Sequence, residues 1–182
     1  MVHSGTALID PHVIFDKVRL VSGMRVADFG CGRTGHFVFP AACLVGDDGI
    51  VYAIDIIKNV LQSIKSLATS EGYNNVQTVW SDIELVGKTP IPAKSLDVCF
   101  FTNVLHQVKD RPSVIKEAAR LLKKGGHLAI IEWKKKLGLL GPGHDQMVNP
   151  EKVINCAEEN GLTFLLQSDI SEYNYLLIFQ KR

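Results

Sequence analysis

The sequence has no paired-cysteine motif. Its four cysteines, Cys31, Cys43, Cys99 and Cys156, are widely spread, and no C-x-x-C or Cys/His group has zinc spacing. A disulfide scaffold and a resident metal are thereby set aside. Cys99 in an apolar run and Cys43 in a helical pattern read as small buried hydrophobes. Formal net charge is only +1, which gives no electrostatic footprint for nucleic acid. The one basic cluster, Lys134-Lys135-Lys136, reads as a solvated strand end. No apolar run reaches the 18 residues of a membrane span, and residues 1–10 lack a signal peptide's apolar stretch. No internal repeat or low-complexity tract interrupts the chain. The expectation is a soluble, reduced, cytoplasmic protein.

What is present is a normal globular composition: 182 residues, 46% hydrophobic and 21% charged, enough for one α/β domain. Asp10-Pro11 is a helix start, with Ile14, Val18 and Val21 inward and Gly23 as the stop. Strands are expected over 24–29, 50–54, 76–80, 96–101 and 127–133. Helical patterns fall between them at 36–45, 58–71 and 110–123, and Pro40 is tolerable near a helix start. Asn149-Pro150 opens a further helix, and strands at 162–167 and 173–180 follow. The join between those last two is too short for a parallel crossover, so they should pair antiparallel. Strand alternating with helix predicts a doubly wound, mainly parallel sheet with helices on both faces and an antiparallel last strand. Ligands bind at the carboxyl ends of such strands.

Residues 26–35 read V-A-D-F-G-C-G-R-T-G and carry most of the functional signal. Gly30, Gly32 and Gly35 form a literal G-x-G-x-x-G, a turn that lets backbone N–H groups approach a ligand. That spacing alone also suits a dinucleotide. Asp28 sharpens it. A carboxylate near the end of a buried strand repels a pyrophosphate and favours a ligand carrying an ammonium or sulfonium group, such as S-adenosylmethionine (SAM). Asp55, ending the second strand, can accept from two ribose hydroxyls. Asp82 can accept from an adenine amino group while Ile56 and Ile83 cover the ring. Asn103 follows the fourth strand and can line the amino-acid end.

With those places assembled, the chain resembles the class I SAM-dependent methyltransferases, in particular small methyltransferase-domain proteins related to the ubiquinone/menaquinone C-methyltransferases. The resemblance rests on V-A-D-F-G-C-G, V-Y-A-I-D-I, W-S-D-I, L-D-V-C-F-F-T-N-V-L-H-Q and L-L-K-K-G-G-H-L-A-I-I-E-W, and covers residues 10–182. It implies a Rossmann-like seven-stranded sheet, with residues 1–23 as a helical cap on a 24–182 core. It implies that Asp28, Gly30 and Gly32, with Cys31 between them, hold the methionine part of SAM. Asp55 then holds the ribose, Asp82 and Ile83 the adenine, and Asn103 lies beside the methionine. Two departures stand out. Arg33-Thr34 lengthens the family's usual G-x-G-x-G, so Gly30 and Gly32 match better than Gly35. Residues 134–148 also form a shorter connection than the cover of quinone-modifying relatives.

Methyl transfer from SAM needs no covalent enzyme nucleophile. His106, at the rim of the fourth strand, and His144, in the G-P-G-H loop, are the candidate acid–base residues. Glu132 and Trp133 are candidates to line the acceptor pocket. His3, His12, His36 and His127 read as structural. The Asn-Pro-Pro-Tyr/Phe motif of amino-methylating nucleic-acid enzymes is absent, its place taken by Asn103-Val104-Leu105-His106. A small-molecule acceptor is therefore expected. Three rivals stay open: a macromolecular acceptor at an open site, a non-catalytic SAM-binding partner subunit, and an NAD-binding oxidoreductase.

Overall fold

The computed structural model describes residues 9–138 and 141–182. His3 and the rest of residues 1–8 of the expected N-terminal segment lie outside the described residues. Asp10 caps α1 (Pro11–Val18), its carboxylate accepting from the His12 N–H at 2.9 Å, with Pro11 in the first turn. The helix ends earlier than Gly23 suggests. Arg19 turns left-handed at φ 54°, and the N–H of Leu20 donates to Phe15 O at 2.9 Å. Val21, expected inward, lies beyond that turn and is exposed.

Next come β1 (Arg25–Phe29), α2 (Val38–Val45), β2 (Ile50–Asp55), α3 (Lys58–Glu71) and β3 (Val76–Trp80). They are followed by β4 (Leu96–Thr102), α4 (Arg111–Leu121) and β5 (Leu122–Trp133). A 3-10 turn (His144–Gln146), α5 (Pro150–Glu159), β6 (Leu162–Asp169) and β7 (Asn174–Lys181) complete the chain. Pro40 falls in the first turn of α2, where its missing N–H costs nothing. Cys43 departs from expectation. It is exposed, its Sγ 3.3 Å from the Tyr73 hydroxyl, because Ala41, Ala42 and Val45 form the inner face of α2. The fifth strand also starts earlier than residue 127. Leu122 pairs with Leu96 directly off α4, and a register shift before Val98 and His127 absorbs the Gly125-Gly126 bend. Asp97 sits in that irregularity, accepting from the Arg25 N–H at 2.9 Å and pairing with Lys123.

The seven strands run in the order β3-β2-β1-β4-β5-β7-β6. The ladders joining β3, β2, β1, β4 and β5 are parallel. Strand β7 inserts between β5 and β6, antiparallel to both, as the short connection requires. Alternating side chains feed two apolar layers. On one face Ile14, Val38 and Ile64 from α1, α2 and α3 cover Val26, Val51 and Phe100. On the other, Val114 and Val153 from α4 and α5 cover Phe29, Phe101 and Ile130. The strand order reverses between β1 and β4, so the crevice opens where the carboxyl ends of β1, β2 and β4 meet. Among the described residues, no helix is long and apolar enough to cross a membrane.

Candidate functional site

The chain leaves β1 through a turn of left-handed glycines: Gly30 at φ 71°, Gly32 at 66° and Gly35 at 60°. Both Gly30 and Cys31 donate their N–H groups to Ile54 O, at 2.8 and 3.1 Å, which ties the turn to β2. The glycines differ in what surrounds them. A Cβ on Gly30 would stand 2.6 Å from Cγ2 of Val104, and one on Gly35 would meet Phe39 and Ile64. Gly32 faces open space. Gly35 thus serves helix packing, and Gly32 is the position where the backbone is free to approach a ligand. Gly30→Ala combines a strained φ with that overlap, and should cost about 2–3 kcal/mol in a urea melt. An unchanged midpoint would contradict the packing described.

Asp28 lies on the face that α1, α2 and α3 cover, 3% exposed. Its Oδ1 is buried and has no hydrogen-bond partner among the described residues. Burial, aided by the charge on Asp55, raises its carboxyl from 3.8 to about 7. Asp55 is differently placed. Its Oδ1 accepts from the Ile57 N–H at 2.9 Å and its Oδ2 from the Gly32 N–H at 3.4 Å, so the second carboxylate bridges the glycine turn and the start of α3. Ile56 and Ile57 beside it are exposed, as is Trp80 at the end of β3. The Trp80 indole donates to Ile56 O at 2.8 Å, and Lys58 Nζ lies 5.7 Å from its ring centre.

Residues 81–89 form the next wall. The Oδ1 of Asp82 accepts from the Glu84 N–H at 3.0 Å, while Ser81 and Thr89 join their hydroxyls at 3.0 Å. The fully buried Glu117 reaches over from α4 to accept from the N–H groups of Gly87 (2.7 Å) and Thr89 (3.2 Å), with Arg120 paired at 2.7 Å. Ile83 packs against the core layer beneath.

Asn103 follows β4 in a left-handed conformation, φ 57°, and is 1% exposed. Its Oδ1 accepts from Asn174 Nδ2 at 3.0 Å, and its backbone O from Gln107 Nε2 at 2.7 Å. Three residues on, His106 Nδ1 lies 3.0 Å from Glu132 Oε2 at the end of β5. His144 occupies the exposed 3-10 turn, where no hydrogen bond or ion pair among the described residues joins it to the other candidates. Nothing local to the sequence revealed the Asp28–Asp55 coupling, the Glu117 anchor or the His106–Glu132 pair.

The donor set fits SAM. A buried acid with one unpartnered oxygen, an unobstructed glycine backbone and a carboxylate that accepts from that backbone gather at the carboxyl ends of β1 and β2. A doubly wound sheet with an antiparallel β7 and this arrangement defines the Rossmann-like methyltransferase class. Residues 20–178 match the family model described as methyltransferase domain, and the chain belongs to that family. It is 35% identical over 109 residues to an aklanonic acid methyltransferase from Streptomyces, covering 60% of this chain and 48% of the relative. It is 30% identical over 155 residues to a ubiquinone/menaquinone biosynthesis C-methyltransferase from Shewanella sediminis, covering 85% and 58%. The chain therefore spans about half the length of these curated relatives. A SAM-dependent methyltransferase from Aquifex aeolicus superposes with a TM-score of 0.87 at 26% identity, over 98% of this chain and 93% of that one.

Proposed function

We propose that the protein moves a methyl group from SAM to a small-molecule acceptor, acting in the cytoplasm as a single domain over residues 1–182. The observation that carries this reading is the buried Oδ1 of Asp28, partnerless beside Gly30–Gly32. Burying a charged or polar group without a partner costs several kcal/mol. A cationic ligand offsets that cost and a pyrophosphate adds to it, which argues against a dinucleotide.

In this reading Asp28 faces the charged end of the cofactor. The backbone of Gly30, Cys31 and Gly32 follows its methionine chain, and the left-handed Asn103 turn borders that chain from β4. Asp55 accepts from the ribose hydroxyls, and Ile56 lies against the sugar and ring. Asp82, with one carboxylate oxygen in its own turn, offers the other to the adenine amino group, and Ile83 backs the ring. When bound, SAM supplies a methyl group already activated on sulfur, so the hard chemistry resides in the cofactor. The chain must align the acceptor and exclude water, a contribution that can reach about 7–11 kcal/mol. The matched relatives are named for small-molecule pathways, which supports an acceptor of that kind.

Thermal unfolding with SAM, S-adenosylhomocysteine (SAH) and NAD tests the cofactor. A ligand at about 100 times its Kd should add about 2.7 kcal/mol. Stabilisation by SAM and SAH but not NAD is expected, and the converse ends the proposal. Transfer of labelled methyl from SAM into the small-molecule fraction of an extract tests the acceptor. Label confined to protein or RNA would overturn the small-molecule assignment.

A further inference from the structure

No cofactor group in the arrangement above uses His106 or Glu132, yet the two are joined. Glu132, next to last in β5, has a side chain 0% exposed, its Oε2 3.0 Å from His106 Nδ1. The same carboxylate accepts from the backbone N–H of His106 (Oε1, 3.3 Å) and of Trp133 (Oε2, 3.3 Å). A carboxylate only accepts, so in the neutral ring the proton belongs on Nδ1 and Nε2 keeps its lone pair. The His106 side chain is 13% exposed, so the ring is not sealed off. Leu105 and Trp133, both buried, border the pair. Among the described residues, Tyr175 of β7 feels the Glu132 charge, its hydroxyl donating to Val148 O at 2.9 Å, and Arg111 of α4 lies within electrostatic reach of Tyr175. The Arg111 guanidinium is spent on Leu105 O (2.9 Å) and Gln146 O (3.2 Å). A fully buried carboxylate is an expensive way to satisfy two peptide N–H groups, since a neutral side chain would do it. What only a carboxylate supplies is a fixed imidazole tautomer and a charge to stabilise the imidazolium.

We propose that His106 Nε2 is the general base for the acceptor, that Glu132 is its positioning residue, and that the acceptor presents an acidic hydroxyl, phenolic or enolic. This rests on the methyltransferase reading above. The chemistry selects the class. An imidazole, ordinarily near 6.5, is matched to a phenol near 10 but is far too weak for an aliphatic alcohol. A neutral amine needs no base. In the step, the hydroxyl proton moves to Nε2. The freed electron pair, on oxygen or on the conjugated carbon, forms the new bond to the methyl carbon. The S–C bond pair stays on sulfur as a neutral thioether, and His106 then releases its proton to solvent.

The test uses the full chain, with 4-methylphenol, 4-nitrophenol and the enol of acetylacetone as probes. Labelled SAM should methylate at least one of them. His106→Gln should lower kcat on the weakly acidic probe by about 10²–10⁴-fold, with SAH affinity unchanged within about twofold. The loss should shrink on 4-nitrophenol, which is already ionised above neutrality. In SAH-saturated wild type, 4-nitrophenol should show its phenolate band at a lower pH than it does free. His106→Gln should abolish that shift. Glu132→Gln, which removes the charge that favours the imidazolium, should move the acidic limb of the pH–rate profile to lower pH. Equal rates for His106→Gln, or an unmoved limb for Glu132→Gln, overturn the respective roles. A wild type that binds SAH but neither binds nor methylates any probe overturns the base assignment and leaves the cofactor reading standing. A wild type that does not bind SAH removes both.

Discussion

Asp28→Asn should make the ligand-free protein more stable at pH 8, by about 2–4 kcal/mol, while weakening SAM binding by at least tenfold. The sign follows from where the proton sits. Folded Asp28 holds its proton up to about 7, against 3.8 for the ordinary group. Between those values the unfolded chain has lost the proton and the folded one has not. Stability therefore falls as pH rises from about 4 to about 7 and levels off above, at an accumulated cost of about 4 kcal/mol. Asparagine fills the same space without the charge and removes that cost, less the penalty of an amide that still lacks a partner. Urea melts at pH 5 and pH 8 check this: the variant's advantage should be large at pH 8 and small at pH 5. The same proton governs the cofactor. A cationic ligand favours ionised Asp28, so SAM affinity should drop about tenfold per pH unit below 7, measured by calorimetry. A variant less stable than wild type at pH 8, or SAM binding flat from pH 5.5 to 8, would remove Asp28 from the site.

Asp55→Ala should weaken SAM by at least about 1.5 kcal/mol, and by about 3–6 kcal/mol if both ribose hydroxyls donate to the carboxylate, each such bond being worth about 1.5–3 kcal/mol. It also strips acceptors from the N–H groups of Gly32 and Ile57, so the glycine turn and the first turn of α3 lose a shared anchor. Asp55→Asn separates the two effects. Its amide oxygen can still take one N–H, so stability should recover more than affinity does. Equal SAM affinity in wild type and Asp55→Ala would show that the ribose lies elsewhere.

Much of the architecture was legible because it is written in local periodicity. The bounds of α3 follow from Val60, Leu61, Ile64 and Ala68 on one face and Gly72 past the end. The antiparallel β6–β7 pair follows from the shortness of their join. Asp10, Asp110 and Asn149 announce the starts of α1, α4 and α5 through their own side-chain caps. The misses have a common physical origin in contacts between distant parts of the chain. Leu122 is a strand residue because Leu96 pairs with it, overriding the helical pattern that reaches to residue 123. Cys43 has an apolar sequence context but looks outward, since only the three-dimensional turn of α2 decides which side meets the sheet. At the site, residue types were readable one at a time. The ends of β4 and β5 had to be laid side by side before His106 and Glu132 became a pair.

The loop that presents Asp82 and Ile83 has a further consequence. Glu117 holds the N–H groups of Gly87 and Thr89 from behind, and the Ser81–Thr89 hydroxyl contact closes the segment into a ring. A surface loop of this kind would ordinarily surrender about 1–2 kcal/mol of backbone freedom per residue on meeting a ligand. Here that ordering is completed during folding, so under the proposed reading an adenine arriving between Ile56 and Ile83 would meet a wall already set, and its binding free energy would not be drawn down by fixing the loop.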